Sequence, residues 1–488
     1  MKRDQVLSVS FACVMQPSMS KLRIALVALT VALVATGAHA DPCYSKSSFN
    51  AIYDFGDHAG DPLGPQYVGV IAQGRDGNLW STTPVGGKNN LGTAFRVTPG
   101  GKLKVIYNFT SKTGQPYSGL TLGTNGNFYG TTYNGGTGTA CTGGCGTVFE
   151  LTPSGKLTIL WNFEGGNNGE NPYAPPIEGT DGNFYGTAYQ GGANNLGTIY
   201  QLTPSGKLTT MYQFASSDGA NPVSVLVQGT DGNLYGTTLR GGGYGYGAIF
   251  KIAPSGSFGF TLLFSFDASD GAYPYFGLVQ GSDSKLYGTA ANGASGYGDV
   301  FYITTKGSFT ERYPLNGGLD GAYPVAGLVE ATDGNFYGAA QSRGNGYGTF
   351  FRITPKGKFT VCEDFNATDG ATPLVTPIQH TNGKLYGDTY QGGDIHNTGV
   401  FYYLNLGLKP FVSLLPPAGK VGATVEFLGQ GFTGTKAVSF NGTAAAKFTV
   451  VSDTYMTAVV PTGATAGFVT VATPKATLQS NKKFRVTE

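Results

Sequence analysis

Four aspartates recur at one place in a repeating phrase: Asp218, Asp270, Asp320 and Asp369 each stand immediately before a glycine, about fifty residues apart. Carboxylates presented from equivalent loops can gather a cation or hydrogen-bond a hydroxyl-rich ligand, and a close pair can serve as acid and base in breaking a glycosidic bond. Aspartate before glycine is also a plain turn former, and Asn168 and Thr113 hold the corresponding places elsewhere. A second set is aromatic. Tyr246, Tyr297 and Tyr347 each precede by one residue the glycine that opens a strand, and Tyr244, Tyr273, Tyr275 and Tyr323 fall in neighbouring loops. Tyrosine offers a flat apolar face and a hydroxyl, which suits sugar rings or peptide segments. Packing competes as a role, since Leu91, Leu196 and Thr398 occupy the same position in other units.

The other reactive residue types do not assemble into a reaction. His58, His380 and His396 lie in different units with no H-E-x-x-H or second-ligand spacing. No G-x-S-x-G elbow precedes a helix, and the glycine run from Gly241 lacks the Lys-Ser/Thr of a phosphate-binding loop. Asp76, Asp181, Asp231 and Asp333 sit in turns without the alternating acidic ligands of a calcium loop. The sequence therefore predicts no metal and no cofactor. A formal net charge of +2, with Lys and Arg dispersed, leaves no footprint for nucleic acid or an anionic membrane surface.

What must position these loops is a repeat. The phrase RDGNLWSTT returns as TNGNFYGTT, TDGNFYGTA, TDGNLYGTT, SDSKLYGTA, TDGNFYGAA and TNGKLYGDT, anchored at Trp80, Tyr129, Tyr185, Tyr235, Tyr287, Tyr337 and Tyr386. An Asp-Gly or Asn-Gly between two apolar runs is a hairpin signal. A Gly-rich loop and a second hairpin around Pro-Ser-Gly follow, as in GTVFELTPSGKLTILWNF. Four antiparallel strands in about fifty residues is the size of one propeller blade. With 78 glycines, 13% aromatic and only 12% charged residues in 488, the composition also favours strands and turns. After the seventh phrase the outer strand is missing, and SFNAIYDF, Ser48 to Phe55, matches that strand and precedes the first unit. The sequence thus predicts an all-β, seven-bladed β-propeller over 44–408, closed by an N-terminal outer strand.

Lys21 and Arg23, an apolar run from Ile24 to Ala35 and Ala38-His39-Ala40 have the layout of a cleaved secretory signal over 1–40, with no membrane span after cleavage. Export would place Cys43, Cys141, Cys145 and Cys362 in an oxidising compartment. Cys141 and Cys145, four apart in one loop, suit a local clip, which leaves Cys43 and Cys362 to pair; spacing alone does not fix the connectivity.

From about Lys409 the period ends, and short alternating runs such as AVSFNG, YMTAVVP and GFVTVAT suit a small β-sandwich over 409–488. This tail resembles an IPT/TIG immunoglobulin-like domain in Gly422, Val425, Gly429, Gly431, Phe432, VSFNG at Val438 to Gly442, SDTYMTAVVP and a last strand at Phe484. Phe49 to Gly407 resembles the GloVer-type (choice-of-anchor) tandem repeats of bacterial exported proteins, whose hallmark is the DGNFYGTT and GTVFELTPSGKLT pair. The resemblance implies fold and a secreted, cell-surface or periplasmic location more than chemistry, and the chain departs from it in having no obvious sorting motif. The functional expectation is an exported, non-catalytic binding or structural protein whose propeller face meets an extracellular glycan or protein. The alternative is a carbohydrate-active hydrolase or lyase using loop carboxylates at the propeller mouth. Oligomeric state is open.

Overall fold

The computed structural model describes residues 43, 49–65, 69–342 and 344–487; the signal segment read over 1–40 lies outside them. Among the described residues there is no α-helix, 3-10 conformation occurring at Cys43 and over Gly166–Asn168, and no helix is long and apolar enough to cross a membrane.

Each repeat forms one four-stranded antiparallel sheet. In the first, Ala72–Gln73 pairs with Leu79–Thr83, which pairs with Thr93–Val97, which pairs with the outer Leu103–Asn108. The pattern recurs in seven sheets. The second strands LWSTT, FYGTT, FYGTA, LYGTT, LYGTA, FYGAA and LYGD are buried along their whole length, which explains their unbroken apolar and small content. Their central glycine is required by a close approach: a Cβ on Gly186 would stand 2.3 Å from the Tyr200 hydroxyl. The hairpin before each second strand is locked by its own anchor. The Tyr185 hydroxyl donates to Asp181 at 2.7 Å, Tyr235 to Asp231 at 2.6 Å and Tyr337 to Asp333 at 2.8 Å. A register shift separates the third and outer strands in every sheet, for example between Val148 and Phe149, and adds local twist.

The seventh sheet takes its outer strand from the other end of the chain. Ile378–Gln379, Leu385–Asp388 and Val400–Leu404 are followed across the sheet by Phe49–Asp54, with Phe49 opposite Leu404 and Asp54 opposite Val400. One apolar cluster fills each gap between consecutive sheets, and the series closes on itself. Phe55, Ile71, Phe95, Tyr386 and Phe401 join the seventh sheet to the first, as Trp80, Phe109, Phe128 and Phe149 join the first to the second. The fold is therefore β-propeller-like. Cys43 is bonded to Cys362 on the outer strand Phe359–Asp364 of the sixth sheet, and Cys141 to Cys145 within one loop.

Residues beyond Phe411 form two further four-stranded sheets. Ser413–Leu415, Thr424–Leu428, Tyr455–Val459 and Phe448–Val450 make one; Thr443–Ala444, Ala437–Phe440, Val469–Ala472 and Thr477–Gln479 make the other. Val425, Phe427, Phe432, Phe440, Met456 and Phe484 fill the core between them. This unit touches the hairpin-turn ends of the repeat sheets. The Arg75 guanidinium pairs with Glu426 and lies 4.6 Å over the Tyr455 ring, Gln430 donates to Thr381 at 3.0 Å, and Arg485 donates to the Thr230 carbonyl at 2.6 Å.

Candidate functional site

The opposite end of the sheets carries two kinds of loop: those from an outer strand to the next inner strand, and those from a second to a third strand. They are zipped together by short backbone ladders. Ala220 and Arg240 exchange N–H···O bonds of 2.7 and 3.0 Å, and Glu170 with Gln190, Ala272 with Asn292, Ala322 with Ser342 and Ala371 with Gln391 repeat the arrangement. Within the first kind of loop, the residue before a proline adopts a left-handed conformation: Asn171, Asn221, Tyr273, Tyr323 and Thr372 have φ of 54 to 57°. Their N–H groups donate to the carbonyls of Cys145, Leu196, Tyr246, Tyr297 and Tyr347 at 2.7 to 2.8 Å. Left-handed backbone is costly for a bulky side chain, so at Tyr273 and Tyr323 the surrounding bonds hold a strained residue in place. Such positions cluster at functional sites.

Tyrosines gather on this face. Tyr117, Tyr133, Tyr173 and Tyr189 form a contiguous series, with ring centroids 5.6 Å apart for Tyr117 and Tyr133, 4.9 Å for Tyr133 and Tyr173 and 5.1 Å for Tyr173 and Tyr189. Tyr173 and Tyr189 pack with Val223, Leu239 and Phe276 against Tyr273 and Tyr275, which in turn meet Tyr323, Val325, Leu374 and Tyr390. The eight tyrosines are half-buried and the aliphatic residues and Phe276 beneath them buried. Burial, then the neighbouring phenols, push the Tyr117 and Tyr133 hydroxyls above the usual tyrosine range, so they act here as neutral hydrogen-bonding groups.

Two clefts open on this face, one of them among these tyrosines. One, of about 360 Å³, is lined by Leu239, Arg240, Tyr273, Tyr275, Asn292 and Tyr323 among others. The other, of about 610 Å³, lies between Ser216, Ser217, Asn221, Arg240 and the glycine loop carrying Tyr244. Neither lining includes an aspartate or glutamate.

The four repeated aspartates turn back into their own loops. Asp218 accepts from the Tyr212 hydroxyl at 2.6 Å and the Ala215 N–H at 2.9 Å. Asp320 accepts from the Asn316 N–H at 3.0 Å and the Tyr313 hydroxyl at 3.2 Å. Asp270 takes the Asp267 N–H at 3.1 Å, and Asp369 the Asn366 side-chain amide. Burial and then the adjacent Asp267 hold the Asp270 carboxyl above its ordinary value. Asp61 plays the same part in the first unit, holding the Tyr53 hydroxyl at 2.6 Å; proline follows it instead of glycine, which hides it from an Asp-Gly search. Of the second set, Tyr246 and Tyr347 are 36% and 41% exposed, and Tyr297 packs over Gly317. None of the three lines either of these two clefts. Their shared contribution is the backbone carbonyl described above, which any residue supplies, so Leu and Thr stand there elsewhere. Tyr273, Tyr275 and Tyr323 do line the smaller cleft. Tyr117, Tyr133, Tyr173, Tyr189 and Tyr390 escaped the sequence reading. Their signals are the X-Pro-Tyr step, for Tyr117 and Tyr173, and the residue that follows the five-residue FYGTT-type phrase, for Tyr133, Tyr189 and Tyr390. Cys141 Sγ lies 3.0 Å from a Glu170 carboxylate oxygen, beside Cys145; both cysteines are committed to their disulfide.

The family model of the Gloeobacter/Verrucomicrobia repeat matches residues 137–344 and 289–444. No curated protein matches the chain. Among solved structures it is similar to a fungal alcohol oxidase of the AA5 family in complex with copper (14% identity, 90% of this chain and 100% of that one, TM-score 0.46). It is also similar to a putative 6-phosphogluconolactonase from Bacteroides uniformis (15%, 64% and 88%, 0.43), and to an auxiliary nutrient binding protein from Bacteroides thetaiotaomicron (10%, 73% and 75%, 0.40).

Proposed function

Since this chain belongs to the Gloeobacter/Verrucomicrobia repeat family, we propose that its repeats serve as the blades of one seven-bladed propeller over 44–408, whose loop face binds a hydroxyl-rich extracellular ligand, a glycan, without transforming it. The observation that carries this is the lining of the face. Half-buried tyrosines project from loops pinned by backbone ladders and by left-handed residues before proline, and the residues on the short ladders around them are mostly neutral hydrogen-bonding groups: Gln190, Asn292, Ser342 and Gln391. Flat apolar faces for sugar rings, surrounded by amides and hydroxyls that both donate and accept, are what a polyol requires. Export of the chain, with 1–40 removed, is supported by the two disulfides, which persist in oxidising compartments. The two-sheet unit over 409–488 is read as an IPT/TIG-like β-sandwich acting as a spacer on the far side of the propeller.

A hydrolase or lyase would need two loop carboxylates free to meet a substrate. Asp218 and Asp320 instead hold the turn and the tyrosine of their own loops, which weighs against that alternative. The test is binding of the whole chain to a panel of immobilised glycans, followed by calorimetry on the strongest. Tyr275→Ala with Tyr323→Ala should weaken that binding by about tenfold or more with no product released over hours. Undiminished affinity in the double variant would remove the tyrosine face from the function, and released sugars would make the protein an enzyme.

A further inference from the structure

The ladder position on the loop face is occupied by Gln190, Arg240, Asn292, Ser342 and Gln391 in five successive loops. Four of these are neutral and one is a cation. Arg240 is exposed, and its backbone is pinned to Ala220 in both directions, with the Thr238 hydroxyl donating to its carbonyl at 2.9 Å. The direction in which its side chain leaves the loop is thereby fixed. Arg240 lines both clefts, which meet at it. Among the described residues, no carboxylate pairs with its guanidinium, and no acidic side chain lines either cleft. Tyr273, Tyr275 and Tyr323 stand on one side of it and Ser216, Ser217 and Asn221 on the other.

We propose that Arg240 receives the carboxylate of an acidic oligosaccharide, a uronic-acid chain, whose sugar rings lie against Tyr273, Tyr275 and Tyr323 and continue past Arg240 into the larger cleft. The guanidinium fork matches a carboxylate with two parallel N–H···O bonds. The absence of competing acids from both linings leaves that fork to the ligand. The inference deepens the glycan-binding reading and rests on it.

Calorimetric titration of the full chain with a uronic-acid tetrasaccharide, and with the same tetrasaccharide after its carboxylates are reduced to alcohols, tests it. The acidic form should bind about tenfold tighter or more, with an advantage that shrinks as salt is raised. Arg240→Gln, which installs the residue found in two sister loops, should erase the difference between the two forms, and its circular dichroism should overlay that of the unaltered chain. Equal affinity for the two forms, or a preference that survives in Arg240→Gln, would overturn the assignment while leaving glycan binding intact. Binding of a sulfated tetrasaccharide in place of the uronate would overturn the carboxylate in particular. If neither form binds and the tyrosine double variant changes nothing on the glycan panel, the binding reading itself falls.

Discussion

Tyr273 illustrates the tension between holding a loop and meeting a ligand. It occupies a left-handed position, φ 55°, that Asn171 and Asn221 fill in other units, and asparagine tolerates that conformation better than an aromatic residue. Asn171 and Asn221 also send their side-chain amides to the Tyr133 and Tyr189 carbonyls at 2.8 and 3.1 Å; the carbonyl of Leu239 is the equivalent acceptor for position 273. Tyr273→Asn should therefore raise unfolding free energy by about 0.5–1.5 kcal/mol in urea titrations and weaken ligand binding. A variant that loses both would assign Tyr273 to packing alone. Asp388 shows a second kind of conflict. It is fully buried, and neither carboxyl oxygen has a hydrogen-bond partner. Thr131 and Thr289, at the same place in their sheets, each donate at 3.1 Å to a carbonyl of the loop leading into the next sheet. Burial drives the Asp388 carboxyl well above its ordinary value of 3.8, so it is protonated in the fold at acid pH. Its unfolded form ionises near 3.8, and stability is thereby lost as pH rises from there through the folded value. Asp388→Thr should add about 1–3 kcal/mol at neutral pH and flatten the pH dependence above about 4. Urea midpoints measured across pH decide it: parallel curves for the two proteins would mean that Asp388 is solvated.

At the level of strands and hairpins, the repeat was legible because each signal is local. The turn aspartate and the tyrosine four residues on are a bonded pair, as in Asp181 and Tyr185, and both stand in one nine-residue phrase. The joining of Phe49–Asp54 to Val400–Leu404 was legible by counting, since one unit lacked an outer strand and the N-terminus had a spare one. Of the tyrosine face, Tyr273, Tyr275 and Tyr323 stood out in sequence-equivalent loops, but the other half did not, because Tyr173 meets Tyr133 and Tyr189 only after loops from successive sheets are laddered together. The direction of the repeated aspartates was hidden for a related reason: presentation from equivalent loops says nothing about which way a carboxyl points, and Asp218 and Asp320 accept from tyrosines of their own units. Cys43–Cys362 is separated by 319 residues in sequence and ties Cys43, six residues before Phe49–Asp54, to the sixth sheet, beside the seam where the first and last strands of the repeat sheets pair. Because it restricts the unfolded chain over so long a loop, Cys43→Ser with Cys362→Ser should cost about 2–5 kcal/mol. The loss should concentrate in hydrogen exchange of Phe49–Asp54 and its partner strand. Uniform acceleration across all seven sheets would mean that the bond stabilises the molecule without guarding the seam.

For the molecule as a whole, the strand direction sets the two ends apart: the loop face carries the tyrosines, and the hairpin turns carry the two-sheet unit of 411–487. That arrangement leaves the clefts clear of the tail, provided the tail stays docked. Docking centres on Arg75. Its guanidinium pairs with Glu426 through two nitrogens, the second at 3.0 Å, and donates to the Thr124 carbonyl at 2.7 Å, while the Arg75 carbonyl accepts from Thr454 at 2.8 Å. Burial raises the Glu426 carboxyl and Arg75 pulls it back, so the carboxylate depends on its partner. Removing the arginine alone leaves a largely buried acid uncompensated, which is worse than removing both groups. Arg75→Leu should cost about 1–3 kcal/mol and split one calorimetric unfolding transition into two, the lower belonging to 411–487. Adding Glu426→Leu should recover part of the loss and draw the transitions together. If the double variant is instead as unstable as the sum of its parts, the pair does not couple, and the tail is held by its other contacts, from Gln430 to Thr381 and from Arg485 to Thr230.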